Sequence, residues 1–377
     1  MVSSINTIMY NLSLLNQRNE KVTYGLSSNE ALQYGSDDSL KYNEILSINN
    51  NVNTYSSILT RIQLSESFNT TSDTAVSSMK TSLESAISLI LTAATGTTSD
   101  DGKVSIANEL ESLKNSIFNL ANSSVNNQYL FAGKNTSSTP FVKDEATGKI
   151  SYVGTNDNKT VNVEKNTYNK QGVNGLELLY YTNSTAQNGS DLTFSENELI
   201  YDANGNQYQM LDTNNDGNYD GLYLNADSSN TPLSLSNNGD GTFTINNTTG
   251  LSLESKRSIF DDLDDAINAL NKKDSNGNSI SEDEANSIIS NSIDKFNNIF
   301  NVLNLAHTNL GIRTASINNY ESIIQTKVTN YKILQQNTSS ADLTALAVES
   351  QALQNTYTAL YSTINKINNL SLVKYLS

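Results

Sequence analysis

Leu343-Thr-Ala-Leu346-Ala-Val-Glu-Ser350-Gln-Ala-Leu353-Gln-Asn-Thr-Tyr357-Thr-Ala-Leu360-Tyr-Ser-Thr-Ile364-Asn-Lys-Ile367 decides how this chain is read. Alternating steps of three and four land on Leu343, Leu346, Ser350, Leu353, Tyr357, Leu360, Ile364 and Ile367, all apolar but Ser350. The residues between them are mostly Asn, Thr, Gln, Ser and Ala. A stripe this narrow, of period 3.5, seats one helix against another rather than against a broad core. The opening residues repeat it with Ile5, Ile8, Leu12, Leu15, Asn19, Val22 and Leu26. Burying one stripe side chain gains roughly 1.5–3 kcal/mol, while fixing each backbone residue costs about 1–2 kcal/mol. With so few stripe residues per turn, neither end sustains itself as a lone helix, and both are expected to order on assembly.

Inward from these ends the rhythm persists. Ile45, Ile48, Val52, Tyr55, Leu59 and Ile62 keep it, and Val76, Met79, Leu83, Ala86 and Ile90 continue it. Ile106, Leu110, Leu113, Ile117 and Leu120 form a third stripe, so residues 1–135 read as helical. Breaks are expected at Tyr34-Gly35-Ser36-Asp37-Asp38 and from Thr95-Gly96 to Asp101-Gly102, where Ser99 or Asp100 can cap the next helix. After residue 255 the helical pattern returns with Ile289, Ile293, Phe296, Phe300, Leu303 and Leu310. Ile317, Tyr320, Ile324, Val328 and Tyr331 then lead into the terminal seam.

The middle has another texture. Short runs at 149–153, 160–163, 176–181, 199–201, 222–224, 233–235 and 242–245 read as strands. Asn174-Gly175, Asn188-Gly189, Asn204-Gly205, Asp216-Gly217, Asp220-Gly221 and Asp240-Gly241 separate them, dipeptides that tolerate the positive φ of tight turns. The expected fold is therefore α+β: an elongated coiled-coil rod built from both chain ends, carrying a mostly β domain inserted between them. Three divisions follow: a terminal assembly domain (1–35 with 340–377), a helical rod domain (36–140 with 255–339) and a solvent-facing β domain (141–254).

Composition narrows function. Only 36% of the 377 residues are hydrophobic, with no Trp, which favours thin helical layers over one large core. A net charge of −16 without basic clusters argues against nucleic acid and anionic membranes as partners. The absence of cysteine excludes disulfides, thiol nucleophiles and thiolate metal sites. No apolar run reaches the length of a membrane span. The start, Met1-Val2-Ser3-Ser4-Ile5-Asn6, lacks a basic region followed by an apolar stretch, so no cleaved secretory signal is expected.

Candidate chemistry is sparse. Asp212, Asn214, Asp216 and Asp220, with Gly217 among them, resemble the first half of a calcium loop. Tyr223 stands where the bidentate Glu belongs, so a hairpin rich in turn formers ranks ahead of a metal site. Ser281 followed by Glu284 reads as a helix cap. His307, the only histidine, falls on a helix stripe without a second histidine or cysteine to make a site. Asp37-Asp38, and Asp261-Asp262 with Asp264-Asp265, read as helix starts or surface charge rather than acid–base pairs. No nucleophile triad, P-loop or dinucleotide fingerprint occurs, so neither an enzyme nor a cofactor is expected.

Several motifs together resemble the flagellin superfamily, on the side of its hook-associated members. They are Gly25-Leu26 with Gly35-Ser36-Asp37-Asp38, and Ala94-Thr-Gly96 through Ile106-Ala107-Asn-Glu109-Leu110. Asn127-Gln-Tyr129-Leu130-Phe131-Ala132-Gly133, running to Thr139-Pro140-Phe141, is the most specific piece. Asn309-Leu310-Gly311-Ile-Arg313 and the segment from Ser340 to Leu376 complete the likeness. It covers residues 1–141 and 255–377 and leaves the middle block unmatched. The resemblance implies a secreted structural subunit of the bacterial flagellum at the hook–filament junction, passed unfolded through type III export. It further implies a homo-oligomeric ring, hook-associated protein 1 and flagellin as neighbours, and an export chaperone on the C-terminal helix. Pairing of residues 1–30 with 343–370 would form an inner wall, with Gly25 and the break from Gly35 to Asp38 as a hinge. Filament flagellin, or a calcium-dependent surface adhesin acting through 141–254, are the alternative readings.

Overall fold

The computed structural model describes residues 2–145, 147–187, 189–247, 250–275 and 277–376, with side chains described within 6–367 of that range. Helix α1 spans Val2–Ser28, α2 Ser39–Ala94 and α3 Asp100–Ala121. Strands occupy the middle, and α5 (Ile259–Leu270), α6 (Glu282–Ser339) and α7 (Leu343–Leu376) follow. The short α4 (Gly175–Leu179) interrupts the strands. The helix–sheet–helix order expected from the sequence is borne out. Two compact units form, one from residues 1–60 and 321–377 and one from residues 61–320.

In the terminal unit, Ile48, Val52 and Ile58 of α2 and Ile324 and Val328 of α6 are buried. Tyr55 and Tyr331 stack at 5.5 Å, and the Lys327 ammonium lies over the Tyr55 ring at 5.2 Å. Helix α6 ends at Ser339, just before the terminal seam. The chain leaves the helix at Ser340–Asp342, and the Asp342 carboxylate accepts the amides of Thr344 and Ala345 at 3.1 and 3.0 Å, starting α7 as a separate helix.

In the central unit, one heptad register on α2 runs through Ile62, Ser65, Asn69, Ser72, Val76, Met79, Leu83, Ala86, Ile90 and Ala93, all buried. Asn69 fits because its amide group accepts from Gly172 N at 2.9 Å and donates to Thr314 Oγ1 at 3.2 Å. Against this face lie Ile106, Leu110 and Ile117 of α3, Phe260 and Leu263 of α5, and Phe296 and Leu303 of α6. Ser99 caps α3 through Gly102 N, so the helix begins at Asp100 and the expected loop is shorter. Ser281 caps α6, as expected, by accepting from Glu284 N at 3.2 Å.

The middle block holds more strand than its hydrophobic runs indicate. An antiparallel five-stranded sheet has the order β11 (Gly221–Leu224), β10 (Gln207–Leu211), β9 (Leu199–Asp202), β14 (Leu253–Ser258), β7 (Tyr180–Ala186). A three-stranded sheet has the order β12 (Leu235–Asn237), β13 (Thr242–Ile245), β8 (Leu192–Ser195). Together they bury Phe194, Ile200, Leu222, Phe243 and Ile245 in a second apolar cluster. Three hairpins precede them: β1 (Ser124–Val125) with β2 (Gln128–Tyr129), β3 (Phe141–Lys143) with β4 (Ile150–Tyr152), and β5 (Thr160–Glu164) with β6 (Thr167–Lys170). Asn126 and Asn127 turn the first at φ 49° and 59°. Residues 176–181 do not form the expected strand. Asn174 accepts from Glu177 N at 2.8 Å and so caps α4, and β7 begins only at Tyr180. Of the expected turn pairs, Asn188 lies outside the described residues.

The acidic run after β14 opens α5, as expected of a helix start, but it is not simply surface charge. Asp262 is fully buried, its carboxylate 2.6 Å from Arg257 Nε. Arg257 also reaches Asp265 at 2.5 Å, Lys295 reaches Asp265 at 3.1 Å, and Lys114 reaches Asp264 at 2.6 Å. Cations supplied by three other elements make burial of these carboxylates tolerable, which sequence spacing alone does not announce. Burial pushes Asp261 up to about 7, against the pull of Arg257 and of the Ser258 hydroxyl.

Candidate assembly surface

Helix α1 lies antiparallel to α7 within the terminal unit. Tyr357 donates its hydroxyl to Asn16 Oδ1 at 2.6 Å, and Arg18 pairs with Glu349 at 2.8 Å. Nearer the connections, Ala31 N donates to Ser339 O at 2.8 Å and Ala341 N to Asn29 O at 3.1 Å. The seam read from the sequence is the least exposed line on α7: Leu353 is 4% exposed, and Leu346, Tyr357, Leu360, Ile364 and Ile367 are half-buried. On α1, Val22 is 3% exposed, and Ile8, Leu12 and Leu15 are half-buried. The side chain of Ile5 lies outside the described residues.

Leu26 and Leu343 stand outside this intramolecular seam and are exposed. The close approach is made by Gly25 instead. It sits inside α1 and is buried, and a Cβ there would lie 2.6 Å from Leu346 Cδ1. Gly25 thus lets two helices approach and does not interrupt its own. The interruption comes at residues 29–38. Asn29 adopts φ 59° and donates its amide to Gly25 O at 3.0 Å, closing α1. Asp38 caps α2 by accepting from Leu40 N and Lys41 N at 3.1 and 3.0 Å. Asp37 pairs with Lys21 at 2.5 Å and accepts from Tyr34 N at 2.9 Å. The Lys21 hydrogen bond and that amide hold the Asp37 carboxyl below its usual range. Gly35 packs under the Tyr42 ring.

Pairing leaves much apolar surface uncovered. Met9 and Tyr10 are each 65% exposed and Val348 is 68% exposed, with Leu14 and Tyr361 also open to solvent. Each lies off the seam, on faces that α1 and α7 do not offer to one another. Sequence reasoning confined to the stripe missed them, although their signal is plain: apolar residues on the polar side of an amphipathic pattern.

The other candidates resolve differently. The carboxylates of the 212–220 loop serve the loop itself. Asp212 accepts from Gly217 N at 2.8 Å, Asp216 from Asn218 N at 2.8 Å and Asp220 from Thr213 N at 2.7 Å, while Asn214 Oδ1 takes Asp216 N at 2.9 Å. Among the described residues, no group of three or more His, Cys, Asp or Glu side chains is placed to hold a metal ion. His307 Nε2 faces Asp73 Oδ1 at 2.9 Å, linking α6 to α2. Arg313 bonds Gly172 O and pairs with Glu177 at 3.2 Å, tying α6 to the loop before α4. In the motif running to Phe141, Leu130, Phe131 and Ala132 are buried. Gly133 holds φ 72°, and a Cβ there would stand 2.3 Å from Thr155 O. Among the described residues, no helix is long and apolar enough to cross a membrane.

Residues 2–136 match the family described as the bacterial flagellin N-terminal helical region. The chain is 32% identical over 142 residues to flagellar hook-associated protein 3 of Salmonella typhimurium, covering 37% of this chain and 41% of that protein. It is 36% identical over 83 residues to the Escherichia coli protein of the same name, covering 22% and 25%. The chain thus spans less than half the length of the curated relatives it matches. Hook-associated protein 3 of Legionella pneumophila superposes with a TM-score of 0.52 at 15% identity, over 78% of this chain and 98% of that one. A Vibrio parahaemolyticus protein assigned to the flagellar hook-associated class gives 0.53 at 14% identity, over 81% and 100%. These two likenesses show the fold. The resemblance to the flagellin superfamily is borne out.

Proposed function

We propose that this chain, whose N-terminal third carries the flagellin-type helical region, is a structural subunit of the bacterial flagellum at the junction of hook and filament. It works by packing, without catalysis. The observation that carries this reading is the exposed apolar surface left on α1 and α7 after they have paired with each other. A self-sufficient helical pair would present polar residues at Met9, Tyr10, Val348 and Tyr361. Here those positions await neighbouring subunits.

Identical subunits form a ring, with hook-associated protein 1 on one side and flagellin on the other. Residues Ile5, Ile8, Leu12, Leu15, Val22 and Leu26, with Leu343, Leu346, Leu353, Tyr357, Leu360, Ile364 and Ile367, build the wall that these contacts share. Residues 36–140 with 255–339 form the surrounding layer, and 141–254 face solvent. Before export through the type III channel, a chaperone covers the α7 stripe, in the manner of a helix laid in an apolar groove.

The test is the paired substitution Met9→Asp and Val348→Asp. Neither side chain contributes to the intramolecular seam, so amide exchange in residues 61–320 stays as in the parent while immunolabelling of isolated flagella finds no protein at the junction. Normal incorporation of this variant would reject the proposal.

A further inference from the structure

The central unit contains a cleft of about 370 Å³ between α2 and the β1–β2 and β5–β6 hairpins. Arg61, Ser65, Phe68, Lys159, Tyr168 and Gln171 line it, and no carboxylate is among its lining residues, in a chain of net charge −16. Lys159 donates to a neutral partner, the Gln128 side-chain oxygen, at 2.8 Å. Burial lowers the pKa of its ammonium. A part-buried cation that rests on an amide is incompletely compensated and favours an incoming anion.

Ser65 adds an independent observation. On α2, the hydroxyls of Ser57, Thr60, Thr71, Ser72 and Thr74 donate to the carbonyl four residues back. Ser65 is 1% exposed, yet its Oγ has no hydrogen-bond partner, and the residue lines the cleft. A buried hydroxyl left unpaired costs about 1–3 kcal/mol. A ligand oxygen entering the cleft would remove that cost. Around these polar groups, Phe68 and Tyr168 supply apolar area for the body of a ligand.

We propose that this cleft binds a carboxylate carried on an apolar or aromatic body, with Ser65 and Lys159 taking the anion and Phe68 and Tyr168 covering the body. The site belongs to the central unit and does not rest on the assembly reading. The carboxylate comes either from a free acid or from an acidic side chain of a polypeptide.

The full chain is titrated with N-acetyl-phenylalanine and with its neutral amide, following amide NMR shifts of the lining residues. The acid is expected to shift Ser65, Lys159 and Gln171, and the amide to bind at least roughly tenfold more weakly, the loss of one charge-assisted hydrogen bond. Lys159→Gln weakens the acid similarly. Ser65→Ala weakens it too while leaving thermal stability unchanged or higher, an outcome that a purely structural serine would not give. N-acetyl-phenylalanyl-glutamate amide, against its glutamine counterpart, separates the sources: equal competition with the free acid favours a polypeptide, and weaker competition a small acid. Equal affinity for acid and amide, or no shift at millimolar acid, overturns the proposal without recourse to any variant.

Discussion

The stripe on α2 and the stripe on α7 obey the same heptad rule yet end in different environments. In the central unit Val76, Met79, Leu83, Ala86 and Ile90 are wholly buried, because α3, α5 and α6 close over them. In the terminal unit the corresponding positions on α1 and α7 are mostly half-buried, and only Val22 and Leu353 reach core-like burial among the described apolar positions there. Periodicity therefore states that a helix face wants covering. The number of neighbours the chain itself supplies decides whether the covering is complete. A unit covered on one side only retains binding energy for another molecule.

That contrast can be broken most forcefully by removing α7. Deleting residues 343–377 should abolish incorporation at the junction while the exchange protection of residues 61–320 persists. A truncated chain still found there by immunolabelling would show that the terminal pair is not the assembly element. Next in size are two core truncations read by denaturant unfolding. Phe296→Ala, at a fully buried position, should cost about 3–5 kcal/mol, and Leu353→Ala about 2 kcal/mol, because open surroundings collapse around a small cavity. Equal costs would mean that the terminal seam is as tightly packed as the central core.

A third experiment sharpens the picture of the seam itself. Gly25→Val puts a branched side chain against Leu346 and should cost roughly 1–3 kcal/mol by overpacking. Adding Leu346→Ala should recover part of that loss, since residues in contact couple. Independent, additive effects would place the two apart. The smallest effect concerns pH. Asp261 titrates near 7 in the folded chain, against about 3.9 when unfolded. Between those values the folded state holds a proton that the unfolded state has released, so this group's contribution falls as pH rises from about 4 to 7. Asp261→Asn should match the parent near pH 4 and exceed it above pH 7, by well under the roughly 4 kcal/mol that an unscreened rise of that size would give. Parallel stability–pH curves for the two proteins would refute this.

Strand content shows where reading by pattern stops. β13 was legible because Thr242–Ile245 alternates, its Phe243 and Ile245 turned inward. β14 was not, although it sits between β9 and β7 in the larger sheet. Its sequence, Leu-Glu-Ser-Lys-Arg-Ser, has one apolar residue. Its buried Arg257 is matched by Asp262 and Asp265 from the helix that follows, and its buried Ser255 accepts from Ser184 N at 3.1 Å. β6 is similarly polar, Thr-Tyr-Asn-Lys. Such strands are held by ladder hydrogen bonds and by partners distant in sequence, which no local window contains.

The amino-acid order alone determined the long helices, their seams, the β block between them and most of the caps, because each depends on side-chain periodicity or on a hydrogen bond spanning a few residues. Only the tertiary structure decided that Gly25 marks a close approach rather than a hinge, that Asp262 is buried against Arg257, and that Met9, Tyr10 and Val348 remain bare. Those outcomes depend on which distant residue arrives opposite each side chain. Burial and charge compensation are properties of pairs and layers, and they come into being only when the chain has folded.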